Sequence, residues 1–136
     1  MCSYRQLLLW QQACSLVGEI YQSTNGVDAD GRGDLVESLR KVAIAIPVQI
    51  ATHYSCDATG CLRGLERARR ALVRLEHLVY LAQRLNYWPT PRAARIIRQL
   101  AGLRRHLRAL FHSLQRRERV GMPRAGPVDS YVPCYQ

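Results

Sequence analysis

The sequence predicts an all-α protein folded as an antiparallel up-down-up-down four-helix bundle whose second helix is kinked by a proline. Three observations carry this. The chain is rich in Leu, Ala and Arg but holds a single Phe, a composition that favours helix over strand. Apolar residues recur at three- and four-residue steps in four successive segments, the period of one buried helical stripe. Turn and cap signals separate those segments, leaving connections short enough to make chain neighbours antiparallel. With 136 residues, 48% hydrophobic and 22% charged, the chain has room for one domain. Such a chain buries more than about 60% of the surface its unfolded form exposes, so it needs no disulfide or metal staple.

The first helix is predicted over about residues 4–24, with Leu7, Trp10, Ala13 or Cys14, Val17, Ile20 and Tyr21 on its stripe. Asn25-Gly26 is a stop signal, and a polar stretch rich in Gly and Asp runs from Val27 to Gly33. Asp34 is a suitable N-cap for a second helix over about 34–54, buried through Leu35, Leu39, Val42, Ile46 and Ile50. Pro47 lies inside it, removing one backbone donor and crowding the preceding turn, so a kink is expected near Ala43 to Pro47.

Asp57 or Thr59 opens a third helix over about 58–85, with Leu62, Leu65, Ala68, Leu72, Leu75, Val79, Ala82 and Leu85 facing inward. Asn86 to Pro89 closes it. Thr90-Pro91 reads as a cap followed by proline at the first helical position of a fourth helix over about 91–117. Ile96, Leu100, Leu103, Leu107, Leu110 and Leu114 are its stripe. The bundle thus spans residues 1–118, and 119–136, where Gly and Pro accumulate, reads as an irregular C-terminal tail. Tyr131, Val132, Pro133 and Tyr135 in that tail leave open an arm that packs on a neighbouring subunit.

Charge is divided unevenly. Residues 59–119 hold 15 Arg against three Glu, a net of +12, while the remainder has five bases and seven acids. Lys41 is the only lysine, which coding bias explains, but bias does not explain the excess of bases over acids. The overall charge of +10 favours polyanionic partners. On the third helix Arg63, Arg67, Arg70, Arg74 and His77 share one stripe away from the leucines, and Arg98, Arg105 and Arg108 add to it from the fourth. A guanidinium fork binds phosphate bidentately, and such contacts are independent of sequence and sensitive to salt. The competing reading is a solvated face, partly neutralised by pairs such as Glu66 with Arg70. No aromatics interleave the arginines, which argues against a stacking platform for single strands.

Other motifs carry less. Residues 28–34 imitate a calcium loop but place Arg32 at its fifth position and Leu39 at its twelfth, where a bidentate Glu is required. Cys56 and Cys61 near His53 lack the spacing of a zinc site and offer no fourth ligand. Neither a metal nor a cofactor is expected. No nucleophile can be matched with a base and an orienting group, so no enzyme is predicted. Five cysteines without framework spacing, and no apolar run long enough for a signal sequence or membrane span, point to a reducing cytoplasm and no membrane partner.

Leu9-Trp10-Gln11 with Ile20-Tyr21, Ala45-Ile46-Pro47 with Ile50-Ala51, and Ala71-Leu72 with Leu75-Glu76 occur in an order that resembles the bacterial family known as four-helix bundle proteins. That family includes proteins encoded in intervening sequences of ribosomal RNA genes and, more distantly, the accessory variability determinant of diversity-generating retroelements. The resemblance covers about residues 4–117. It implies a ring-like homo-oligomer, a pentamer, with a basic surface engaging RNA, DNA or a reverse transcriptase partner. The family's Asn-Ile-Ala-Glu-Gly is here Gln49-Ile50-Ala51-Thr52-His53, which lacks the Asn and the Glu-Gly pair. The expected function is therefore a non-enzymatic oligomeric accessory protein that binds a nucleic-acid backbone. The alternative is a scaffold for a protein partner with no direct nucleic-acid contact.

Overall fold

The structure, a computed structural model, describes residues 7–26, 33–54 and 57–119, with the backbone alone at Ala58 and Glu118. Four helices fill it: α1 (Leu8–Thr24), α2 (Gly33–Thr52), α3 (Ala58–Arg84) and α4 (Thr90–Arg119). Each packs on its neighbours in the chain, and α1 closes the set against α4. At 1.5 Å per residue the 27 residues of α3 and 30 of α4 span about 40–45 Å, against about 25–30 Å for α1 and α2. None of the described helices is long and apolar enough to cross a membrane. Sequence residues 4–6, the 27–32 connection, Cys56 and the 120–136 tail lie outside the described residues, as does most of the calcium-like loop.

The apolar stripes form one continuous core. Leu9, Ala13, Leu16 and Ile20 of α1 meet Leu35, Leu39, Ala43, Ile46 and Ile50 of α2. Leu65, Leu72, Leu75 and Val79 of α3 and Ile96, Leu103, Leu107 and Leu114 of α4 complete it. Full burial of each Leu, Ile or Val among them contributes about 1.5–3 kcal/mol. Ala13 takes the buried position on α1, and Cys14 is only half-buried. Leu85, expected inside, is 50% exposed. The reason is its phase: Leu85 follows exposed Leu81 by four residues and Arg74 by eleven, on the side of α3 away from Leu72 and Val79. Just beyond it α3 ends, where Asn86 adopts φ 59°, its N–H bonds the Gln83 carbonyl, and the Tyr87 N–H bonds the Ala82 carbonyl. This left-handed stop, one that Asn tolerates, turns the chain off the helix axis just after Leu85.

Caps fix the remaining boundaries. Asp57 accepts from the Gly60 N–H at 2.9 Å and so starts α3. The expected cap Asp34 instead lies inside the first turn of α2, accepting from the Leu35 N–H at 2.8 Å. At α4 the Pro89 carbonyl receives the Arg92 and Ala93 N–H groups, so Thr90 is already helical and Pro91 is its second residue. Pro91 still falls where the N–H would have no intrahelical partner, so the proline is tolerated. Pro47 sits inside α2 and is buried.

Several contacts tie α1 to the rest. Trp88, on the α3–α4 connection, donates its indole N–H to the Ser23 carbonyl at 2.8 Å. Arg92 reaches the Gln22 carbonyl, Arg95 pairs with Glu19 at 3.3 Å, and His106 bonds Gln12 Oε1 at 2.8 Å. Arg40 of α2 donates to Thr24 Oγ1 at 2.9 Å and lies over the Tyr21 ring, 4.8 Å from its centroid.

Candidate nucleic-acid interface

Helical geometry sets the arginine stripe. Residues 63, 67, 70 and 74 recur at alternating steps of four and three, which keeps them on one side of α3 while Leu65, Leu72 and Leu75 occupy the other. All four arginines are exposed, and so is His77, whose Nδ1 lies 3.0 Å from the Val73 carbonyl. Eleven residues of rise give the stripe a length of about 16 Å.

Arg98, Arg105 and Arg108 of α4 are also exposed, but they do not share one stripe. Arg98 borders the groove between α4 and α1, beside Gln11, Gln12 and Ser15. Arg108 borders the cleft between α4 and α3. Arg105 lies seven residues from Arg98, two helical turns along the same outward line. The basic surface therefore wraps from the α3 stripe around both flanks of α4.

The two described glutamates of this half, Glu66 and Glu76, are engaged chiefly outside the stripe. Glu66 binds Arg69 through both oxygens, at 2.6 and 3.0 Å, and only secondarily approaches Arg70 at 3.4 Å. The hydrogen bond from Arg69 holds the Glu66 carboxyl below its usual range, with the nearby Arg70 charge acting in the same direction. Glu76 pairs across the helices with Arg104 at 2.8 Å. Arg63, Arg67, Arg74, Arg98, Arg105 and Arg108 have no carboxylate partner among the described residues. Neutralisation thus falls on Arg69 and Arg104, which sequence spacing did not single out, and leaves the stripe charged.

Exposed apolar side chains sit beside the basic surface. Tyr80, Leu81 and Leu85 lie near the C-terminal end of α3, each about half exposed, and Ile44 and Val48 project from α2. Leu81 and Leu85 continue the arginine line, seven and eleven residues beyond Arg74. Among the described residues no three His, Cys, Asp or Glu side chains gather as a metal cluster, and Cys61 is buried in the core.

Compared with models of known families and with curated proteins, the chain matches none.

Proposed function

We propose that this chain is a non-enzymatic accessory protein of the bacterial cytoplasm that binds the backbone of RNA or DNA through Arg63, Arg67, Arg70 and Arg74, with Arg98, Arg105 and Arg108 in support. One observation carries the reading: the α3 stripe stays exposed while the two glutamates able to neutralise it are engaged chiefly by Arg69 and Arg104. Guanidinium groups held on a rigid helix at spacings of about 4.5–6 Å match successive backbone phosphates without reading bases. In this reading the helices run up-down-up-down with α2 bent at Pro47. The pairings of Gln22, Glu19 and Gln12 with Arg92, Arg95 and His106, in reverse order along α1 and α4, support the antiparallel part.

We propose further that copies of the chain assemble into a ring-like homo-oligomer, a pentamer, as the resemblance to the four-helix bundle proteins implies. Exposed Ile44, Val48, Leu81 and Leu85 support self-association, because apolar side chains in contact with water gain by being covered. The same residues favour the second reading, a scaffold for a protein partner such as a reverse transcriptase.

Fluorescence anisotropy with structured RNA and duplex DNA, titrated across salt, separates the readings. The first expects tight binding at low salt, weakening steeply with a slope of several phosphate contacts. Replacing Arg67, Arg70 and Arg74 with Glu should abolish that binding and leave the helical circular dichroism unchanged. Unaltered binding by this variant sinks the assignment of the stripe. No binding of either acid by the wild type at about 50 mM salt transfers the function to the scaffold.

A further inference from the structure

Charge is confined to part of the molecular surface, and the uncharged remainder has a pattern of its own. Residues 59–119 hold 15 Arg and three Glu, whereas 7–24 carry one charged side chain, Glu19, and 42–52 carry none. Glu19 is drawn to α4 by its pair with Arg95 at 3.3 Å, so the outer surface of α1 is left without charge.

Two lines of side chains run along this uncharged surface. On α2, Ile44 and Val48 follow one another at one helical turn and are 39% and 49% exposed. Tyr21 of α1 borders a shallow groove with Ile44 and extends the apolar patch. On α1, Gln11, Ser15, Gly18 and Gln22 recur at steps of four, three and four, and all are exposed. A Cβ at Gly18 would meet nothing within 4 Å, so this second line is an open track with small residues at its centre. Leu81 and Leu85 are equally exposed, but they continue the line of Arg74. Copies meeting there would bring arginines together, and like charges in contact repel.

Charge decides what covers Ile44 and Val48. A polyanion gains nothing from them, and an acidic protein is attracted to the arginines of α3 and α4 instead. A second copy of the chain has a net charge of +10, so it is repelled everywhere except at a surface such as this one, and it brings the uncharged α1 track with it. The levels of the two lines also agree. Leu7 and Leu9 share a small cavity with Ile50, His53 and Tyr54, while Tyr21 and Thr24 meet Arg40. These contacts support opposite directions for α1 and α2. On that reading, counting along both helices puts Ile44 close to the level of Gly18 and Val48 within a turn of Ser15.

We propose that copies of the chain join through these two lines, with Ile44 and Val48 of one copy seated on Ser15 and Gly18 of the next. The inference rests on the assembly reading above and names its contact. Because the contact joins unlike surfaces, each copy uses one line toward either neighbour, and such a contact closes a ring when its rotation closes. The two lines lie on neighbouring helices, so successive copies curve toward the α1–α2 side. That side faces the ring axis, and the arginines of α3 and α4 stand on the outer wall, clear of the contact.

Analytical ultracentrifugation of the full chain tests this with substitutions at exposed positions. Ile44→Glu with Val48→Glu disrupts the α2 line, and Ser15→Glu with Gly18→Glu disrupts the α1 line. Each variant alone should sediment as a single chain while keeping the wild-type circular dichroism. Mixed in equal amounts they should form a two-chain species, because the first retains an intact α1 line and the second an intact α2 line. Leu81→Glu with Leu85→Glu should assemble as the wild type does. Where a double variant loses its helical signal, Val48→Arg and Ser15→Arg serve as the milder pair. Wild-type assembly by either variant alone, or a mixture that remains single chains at millimolar concentration, overturns this contact and leaves the assembly reading standing. A wild type that is itself a single chain at millimolar concentration overturns both.

Discussion

Gly64 of α3 lies so close to His53, just past the end of α2, that a methyl group in its place would stand 2.5 Å from His53 Cβ and 2.8 Å from Cγ. The missing side chain is what lets the two helices approach at this point, where α2 ends and α3 begins. His53 is in turn held by the last turn of α2, with Nδ1 3.2 Å from the Gln49 carbonyl. It therefore cannot swing aside without losing that contact.

A helix-interior glycine ordinarily gains about 1 kcal/mol when replaced by Ala. Gly64→Ala should reverse that sign and destabilise by about 1–3 kcal/mol, the usual cost of forcing volume into a packed contact. Gly102 supplies the internal control. It lies within α4, and a methyl there meets nothing nearer than Arg105 Nη2 at 3.9 Å. Gly102→Ala should stabilise by about 0.5–1 kcal/mol. Thermal or urea unfolding of the two variants checks the pair, and two shifts of the same sign would refute the close approach as the reason for Gly64.

The contrast shows what a single sequence reveals and what it withholds. The stripes on α2 and α4 were legible because burial of Leu39, Ile46, Leu103 or Leu107 depends only on helical period and on a core to face. The exposed arginines at 63, 67, 70 and 74 follow from that same period. Leu85 escapes the apolar pattern because the three-residue step from Ala82 carries it past the edge of the stripe, onto the side of Leu81 and Arg74. The Glu76–Arg104 pair joins residues 28 apart, and only the register between two helices brings them together. Glu66 faces two arginines on its own helix, and side-chain direction, not spacing, selects Arg69 over Arg70. The cleft between α3 and α4 was invisible for the same reason as the cross-helix pair: no local pattern encodes the gap between two stripes.

His106 gives the bundle a pH dependence of known sign. Its ring is half-buried between α4 and α1, Nδ1 bonds Gln12 Oε1, and burial holds its imidazole below the ordinary histidine range. A lowered folded-state value means that the unfolded chain takes up the proton first. The contribution of neutral His106 is therefore complete above the unfolded value of about 6.5 and is lost as pH falls from there through the folded value. The melting temperature should drop between pH 7.5 and 5.5 by more in the wild type than in His106→Gln, which cannot titrate. Equal drops in the two proteins would assign the acid sensitivity to other groups.

Glu66 sets how much of the α3 surface is available to an anion. It engages Arg69 through both oxygens and approaches Arg70, so one carboxylate offsets two neighbouring guanidinium groups. Both arginines are well exposed, so the pairs add little to stability. Glu66→Gln should leave the melting temperature nearly unchanged. Its effect should appear in binding, where removing the carboxylate frees Arg69 and adds weight to Arg70 beside Arg67 and Arg74. Affinity for structured RNA or duplex DNA should rise at low salt. The slope of log affinity against log salt should steepen by about 0.7–0.9 for each phosphate newly contacted. Titrations of both proteins at several salt concentrations measure this directly. A Glu66→Gln variant with unchanged affinity and slope would mean that the nucleic acid passes elsewhere, and that Arg67, Arg70 and Arg74 face a protein instead.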